Sequence, residues 1–182
     1  DFWSNFVSTK GRPSIGAHEP NGVESTEVII VDDLGSFEKM YSYSSNMIIE
    51  TGDANNDFNN DLSRMIRNDE AEGWIMYSCT NLTEVSISIF VYAPAAILPS
   101  GITLVGSADA NFTSPIPISV NYEELASKGE WGWNNFKMTP QAAIPTGINY
   151  LKAVIAPGPV VAPGHGWAYA FGSVEITHDP GL

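Results

Sequence analysis

The chain has 182 residues, of which 43% are hydrophobic and 11% aromatic, enough for one domain with a real core plus a tail, and its net charge is −13. That charge argues against nucleic-acid partners and against an anionic membrane surface, and no apolar run approaches the roughly 18 residues that a membrane-spanning helix needs. A single cysteine, Cys79, excludes an intrachain disulfide and a cysteine zinc site, and its strand-type neighbours predict a buried thiol.

Asp1–Thr26 lacks periodicity and contains the loop-like run GRPSIGAHEPNG, so 1–26 reads as an N-terminal arm or linker and 27–182 as one module. The chain begins with Asp1 rather than Met, as a processed protein or a piece of a larger one does, and its acidity suits a secreted protein. Glu27–Asp33, EVIIVDD, is a strand with apolar residues on both faces, which predicts a central, covered position. MIIET is a second strand, followed by the turn-rich acidic loop GDANNDFNND. In DLSRMIRND, Leu62, Met65 and Ile66 also fit helical spacing, but the run is short and is read as a strand. Gly73–Cys79 is a strand, and Glu84–Ala93 alternates cleanly, with Val85, Ile87, Ile89 and Val91 inward and Ser86, Ser88, Phe90 and Tyr92 outward.

Ile102–Val105 and Pro117–Tyr122 are further strands, and YEELASKG is expected to make one helical turn stopped by Gly129. In Trp131–Met138, Phe136 and Met138 share one face while Trp131, Trp133 and Lys137 share the other. Asn149–Ile155 puts Leu151, Ala153 and Ile155 together, opposite Tyr150 and Lys152. The closing stretch Trp167–Asp179 changes phase between Phe171 and Val174, and Gly172 at the slip predicts a β-bulge. The pattern predicts an all-β fold, an antiparallel β-sandwich or jelly roll of about nine or ten strands.

Two sets of side chains invite a function. The first is aromatic: Trp131, Trp133, Trp167 and Tyr150, with Phe90 and Tyr92. A sugar ring has an apolar C–H face that stacks on an aromatic plane, and its hydroxyls need fixed polar partners, which Asn134, Asn135, Lys137, Lys152 and Arg64 can supply. The same tryptophans are equally read as core if a second sheet covers them. His165 lies in a glycine-rich loop, as a ligand contact or a solvated histidine. The second set is acidic: Asp33, Asp179 and Glu175 from the two chain ends, with Asp61 from the acidic loop. If the first and last strands are neighbours, these carboxylates can converge, and Ca2+ is the natural ion for such oxygen ligands; otherwise they are solvated surface carboxylates.

Catalytic patterns are thin. There is no G-x-S-x-G, H-E-x-x-H, glycine-rich phosphate loop or C-x-x-C, and no carboxylate pair is marked by spacing as the opposed pair that glycosidase chemistry needs.

The segments EVIIVDDLGSFEKMYSYSSN, DFNNDLSRMIR, NYLKAVI and FGSVEITHD resemble the β-sandwich carbohydrate-binding modules appended to secreted bacterial polysaccharide-degrading enzymes. The resemblance covers most of Glu27–Asp179, and DFWSNFVSTKGRPSIGAHEPNG matches no part of it. It implies a non-catalytic jelly roll that holds a larger enzyme on its polysaccharide, with a structural Ca2+ near the joined termini on Asp32 or Asp33 and Asp179. The expected partners are a polysaccharide and other domains of the enzyme, with no nucleic acid and no membrane, in an extracellular monomer. A small polysaccharide-cleaving enzyme and an adhesive or structural jelly roll are the alternatives, since sandwiches serve all three.

Overall fold

The computed structural model describes residues 26–52, 58–92, 101–129, 132–158 and 169–181. These form twelve strands and no helix: β1 (Val28–Asp32), β2 (Ser42–Tyr43), β3 (Met47–Glu50), β4 (Arg64–Arg67), β5 (Gly73–Ser78), β6 (Leu82–Tyr92), β7 (Ile102–Ser107), β8 (Ile116–Ile118), β9 (Val120–Ala126), β10 (Trp133–Pro140), β11 (Tyr150–Ile155) and β12 (Tyr169–His178). They make two antiparallel sheets, a β-sandwich. The larger runs β3-β4-β12-β6-β10-β9, with β1 also paired to β12; the smaller runs β2-β5-β11-β7-β8.

The core follows from strand period. Val85, Ile87, Ile89 and Val91 of β6 point inward as the alternation predicts, and meet Ile75, Tyr77, Leu151, Ala153 and Leu104 of the smaller sheet. On β12, Phe171, Val174 and Ile176 all reach this core, because the register against β6 shifts between Phe171 and Ser173, at Gly172. A Cβ on Gly172 would lie 2.5 Å from Asp61 Oδ2 and 2.7 Å from the Phe90 ring, so the bulge also requires the missing side chain. Cys79 is fully buried, and burial pushes its thiol up to about 12, as an inert core group.

Three expectations change. The first strand is not central: β1 and β4 share one edge of β12, so β1 is left with Ile29 and Val31 exposed at 60% and 58%. The stretch from Pro117 to Tyr122 is not one strand: β8 pairs with β7 in the smaller sheet and β9 with β10 in the larger, so the chain changes sheet at Ser119. YEELASKG makes no helical turn. Its first residues are β9, held by the ladder to β10 and by the Tyr122 hydroxyl donating to the Ile102 carbonyl at 3.2 Å. Sheet pairing overrides the local helical propensity of Glu and Ala. Gly129 does turn the chain, with φ of +85°.

A buried carboxylate also ties the two layers. Asp32 at the end of β1 is 1% exposed and accepts from the Tyr77 hydroxyl of β5 at 2.9 Å and from the Leu34 N–H at 3.0 Å. Burial, and then the charge of Asp32, push the Tyr77 hydroxyl above its ordinary pKa, so it stays a donor. Tyr77→Phe removes that donor and leaves a buried carboxyl group under-bonded; urea unfolding is expected to show a loss of about 1–3 kcal/mol with an unchanged slope.

Candidate binding surface

The outer face of the smaller sheet is set by the register of its three central strands. Trp74, Val154 and Thr103 form one cross-strand row, Met76, Lys152 and Val105 the next, and Ser78, Tyr150 and Ser107 the third. All nine alternate with residues committed to the core. Tyr41, 55% exposed, packs its ring edge-on against Tyr150, with centroids 5.2 Å apart. The Lys152 ammonium lies between two rings, 4.9 Å from the centre of Trp74 and 4.2 Å from that of Phe112.

Phe112 is presented by strain and a tight turn. It has φ of +53°, a left-handed conformation that bulky L-residues rarely adopt. Asp109 builds the turn: its carboxylate accepts from the Thr113 hydroxyl at 2.6 Å and the Asn111 N–H at 2.9 Å, and its carbonyl accepts from the Phe112 N–H at 3.2 Å. The Thr113 hydroxyl above all holds the Asp109 carboxyl below the usual range.

The outer face of the larger sheet is different. Trp133 does point away from Phe136 and Met138, as parity predicts, but it is only 8% exposed, packed with Phe58, Phe90, Ile66 and Ala170. The cover comes from the acidic loop: the Phe58 ring lies 4.9 Å from Trp133 and 5.3 Å from Phe90. Arg64 fastens it. Its guanidinium is fully buried, stacks 3.5 Å from the Phe58 centroid, is ion-paired to Glu50, and donates to the carbonyls of Gly52 and Asp61. Trp133 and Arg64 are therefore internal parts of a second, small core, not an open platform and its polar partner.

Beside this cover is a polar pocket of about 340 Å³, lined by Asp33, Asn59, Asp61, Ser88, Asn135 and Ser173. Asn135 donates to the Ser88 hydroxyl at 2.8 Å, and Asp61 accepts from the Ser63 N–H at 3.0 Å. Burial pushes the Asp61 carboxyl up to about 6, and the charge of Asp33 pushes the same way, against the Ser63 hydrogen bond and Arg64. Lys137 and Glu175 line an adjoining pocket of about 540 Å³ on the same face.

The remaining expected residues are dispersed by the fold. Asp33 and Asp61 come together, but Asp179 does not join them. β1 and β12 pair antiparallel, Val28 opposite His178 and Asp32 opposite Val174, so the carboxylates that end the two strands lie at opposite ends of the pair. Asp33 follows on beside Ser173, roughly 20 Å along the strand from Asp179. Asp179 accepts instead from the Thr26 hydroxyl at 2.7 Å and the Gly181 N–H at 2.9 Å. Among the described residues, no three His, Cys, Asp or Glu side chains are grouped to hold a metal ion. Asn134 accepts from Ser127 at 2.7 Å and shapes the hairpin before β10. Lys137, Lys152, Arg64 and Arg67 form no patch: the first two lie on opposite faces, and both arginines are buried. Trp131, Trp167 and His165 fall outside the described residues. Trp74, Tyr41 and Phe112 were not singled out by sequence; Trp74 shares the parity of Tyr150 across the ladder, a signal visible only once β5 and β11 are known to pair.

No family model matches the chain, and no curated protein does. Solved structures that are similar include the C-terminal CBM6 of LamC, a marine laminarinase from Zobellia galactanivorans, with 13% identity and a TM-score of 0.41 over 82% of this chain and 99% of that one. A cleaved adhesin domain of Lys-gingipain from Porphyromonas gingivalis is similar with 9% identity and a TM-score of 0.40, over 84% of this chain and 99% of that one. The catalytic domain of a GH87 alpha-1,3-glucanase in complex with tetrasaccharides has 10% identity and a TM-score of 0.40, over 85% of this chain and 28% of that one.

The raised Asp61 has a pH consequence. Its folded pKa of about 6 exceeds the ordinary carboxylate value, so the folded state holds a proton that the unfolded chain releases, and stability falls as pH rises from about 4 to 6. Asp61→Asn keeps the acceptor for Ser63 and removes this dependence. Melting temperatures of variant and wild type are expected to agree most closely near pH 3.5 and to diverge in the variant's favour up to pH 6. Carboxyl 13C shifts that place Asp61 near 4 would sink the prediction.

Proposed function

We propose that the chain is a non-catalytic module that binds polysaccharide on the Tyr41–Tyr150–Lys152 face of its smaller sheet, and that, joined to a secreted polysaccharide-degrading enzyme, it holds that enzyme on its substrate. One observation carries the reading: the exposed ring of Tyr41, packed edge-on against the half-buried Tyr150, stands beside a lysine whose ammonium is fixed between two further rings. Rings whose edges are mutually packed lose little conformational freedom when a sugar stacks on them. The tyrosine hydroxyls, Ser78 and Lys152 offer hydrogen bonds to its hydroxyl groups. The resemblance of the sequence to appended carbohydrate-binding modules points the same way. Affinity is modest in such a surface, since stacking on one or two rings contributes about 1 kcal/mol each.

A second reading has its own observation. Asp61, its carboxyl raised to about 6, shares a pocket with Asp33, and glycoside hydrolysis uses two carboxyl groups, one of them raised so that it can act as the acid. In that case the same face of the larger sheet cleaves the glycan.

Affinity electrophoresis on a polysaccharide panel separates the two. Under the binding reading, Tyr41→Ala and Tyr150→Ala each weaken retardation about fivefold while Asp61→Asn leaves it unchanged. Release of reducing ends by the wild type, abolished in Asp61→Asn, would establish the enzyme instead.

A further inference from the structure

Resting on that binding reading, we infer that the preferred ligand of this face is an acidic polysaccharide, and that Lys152 is the residue that recognises its carboxylate or sulfate groups. The chain has 8 lysines and arginines against 21 acids. Two of the eight, Arg64 and Arg67, are buried; Arg64 is ion-paired to Glu50, and Arg67 donates to the Ala71 carbonyl at 2.8 Å. Lys39 donates to the Val31 carbonyl at 2.6 Å. Among the nine outward positions of β5, β11 and β7, Lys152 is the one charged residue. Asp109, in the loop that carries Phe112, has both carboxylate oxygens bonded within its own turn, to Asn111 and to Thr113.

The aromatic rings sharpen the placement. A lysine free on a surface samples many rotamers and loses that freedom on binding an anion. Here Trp74 and Phe112 hold the ammonium on their π faces before any ligand arrives. Those two ring faces are thereby occupied by the cation, which leaves stacking to Tyr41 and Tyr150. Tyr150 and Lys152 are two residues apart on one strand and so about 7 Å apart on the same face. A glycan whose ring lies on Tyr150 therefore runs past a fixed positive charge. A neutral glycan offers that ammonium only hydroxyl acceptors, whereas an acidic one gains the stronger charge-assisted hydrogen bond between two ions. The net charge of −13 repels a polyanion at long range, a repulsion screened beyond about 10 Å at ordinary ionic strength, so recognition requires a local cation such as Lys152.

The test uses the full chain in affinity electrophoresis and calorimetry with three probes: polygalacturonate, the same polymer after reduction of its carboxyl groups, and a sulfated galactan. Wild type is expected to bind at least one acidic probe ten times more tightly than the reduced polymer, and the difference between polygalacturonate and galactan tells carboxylate from sulfate. Lys152→Met keeps the length of the stem and is expected to erase that tenfold preference, weakening the acidic probe far more than the reduced polymer; Lys152→Arg keeps the charge and is expected to retain it. Circular dichroism in the near ultraviolet checks that each variant is folded, and the arginine variant keeps the test decisive if the methionine variant is not. Equal binding of acidic and reduced polymers by wild type, weakened by Tyr150→Ala, overturns the role of Lys152 but leaves the binding face standing. No binding of any probe, with Tyr150→Ala identical to wild type, overturns both.

Discussion

Strand period permits each side chain only two directions, and β12 has to satisfy it from the middle of the larger sheet. It is paired along one side to β6 and along the other to β4 and β1 in turn. Its apolar residues fall in two phases, so an unbroken strand would turn Val174 and Ile176 out of the core that Phe171 enters. The bulge at Gly172 absorbs one residue and puts all three inside. The same glycine leaves room for Asp61 and the Phe90 ring above it, so the feature that completes the core also shapes the pocket on the opposite face. Asp32, one strand away, then fixes the larger sheet to the smaller through Tyr77.

The two outer faces show how a similar alternation leads to different surfaces. On the larger sheet, outward aromatics at Phe90 and Trp133 are closed over by Phe58, and a buried guanidinium holds the cover by stacking on it and pairing with Glu50. An ion pair so placed leaves a costly unpaired charge if either partner is lost, which favours one conformation of the loop. On the smaller sheet Tyr41 remains exposed among the described residues, and a lysine sits among the rings instead. Aromatic surface that is rigid and uncovered can stack on a ligand; aromatic surface under a clamped loop contributes to stability.

These surfaces divide the chemistry as well. The pocket of the larger sheet has carboxyl and amide groups and one acid whose proton burial retains to about pH 6. The smaller sheet has rings, hydroxyls and a cation. The first set is suited to proton transfer or to hydroxyl recognition, the second to stacking and to an anion. That separation is what makes the binding and enzymatic readings distinguishable by single substitutions on opposite sides of the molecule.

The alternation within Glu84–Ala93 and Asn149–Ile155, the bulge at Gly172 and the all-β character were legible in the sequence, because each depends on residues a few positions apart and on a two-residue period. The outward direction of Trp133 was legible for the same reason. Its burial was not, since the cover comes from Phe58 and Arg64, about 70 residues earlier in the chain. The opposed ends of Asp33 and Asp179 follow from the antiparallel sense of β1 and β12, and the edge position of β1 from its sharing of β12 with β4. The proposed binding face joins Tyr41, Trp74, Phe112 and Tyr150 from four separate stretches. Local periodicity determined which way each side chain points; strand order and register decided which of them meet, because neighbours across a sheet are chosen by pairing and not by distance along the chain.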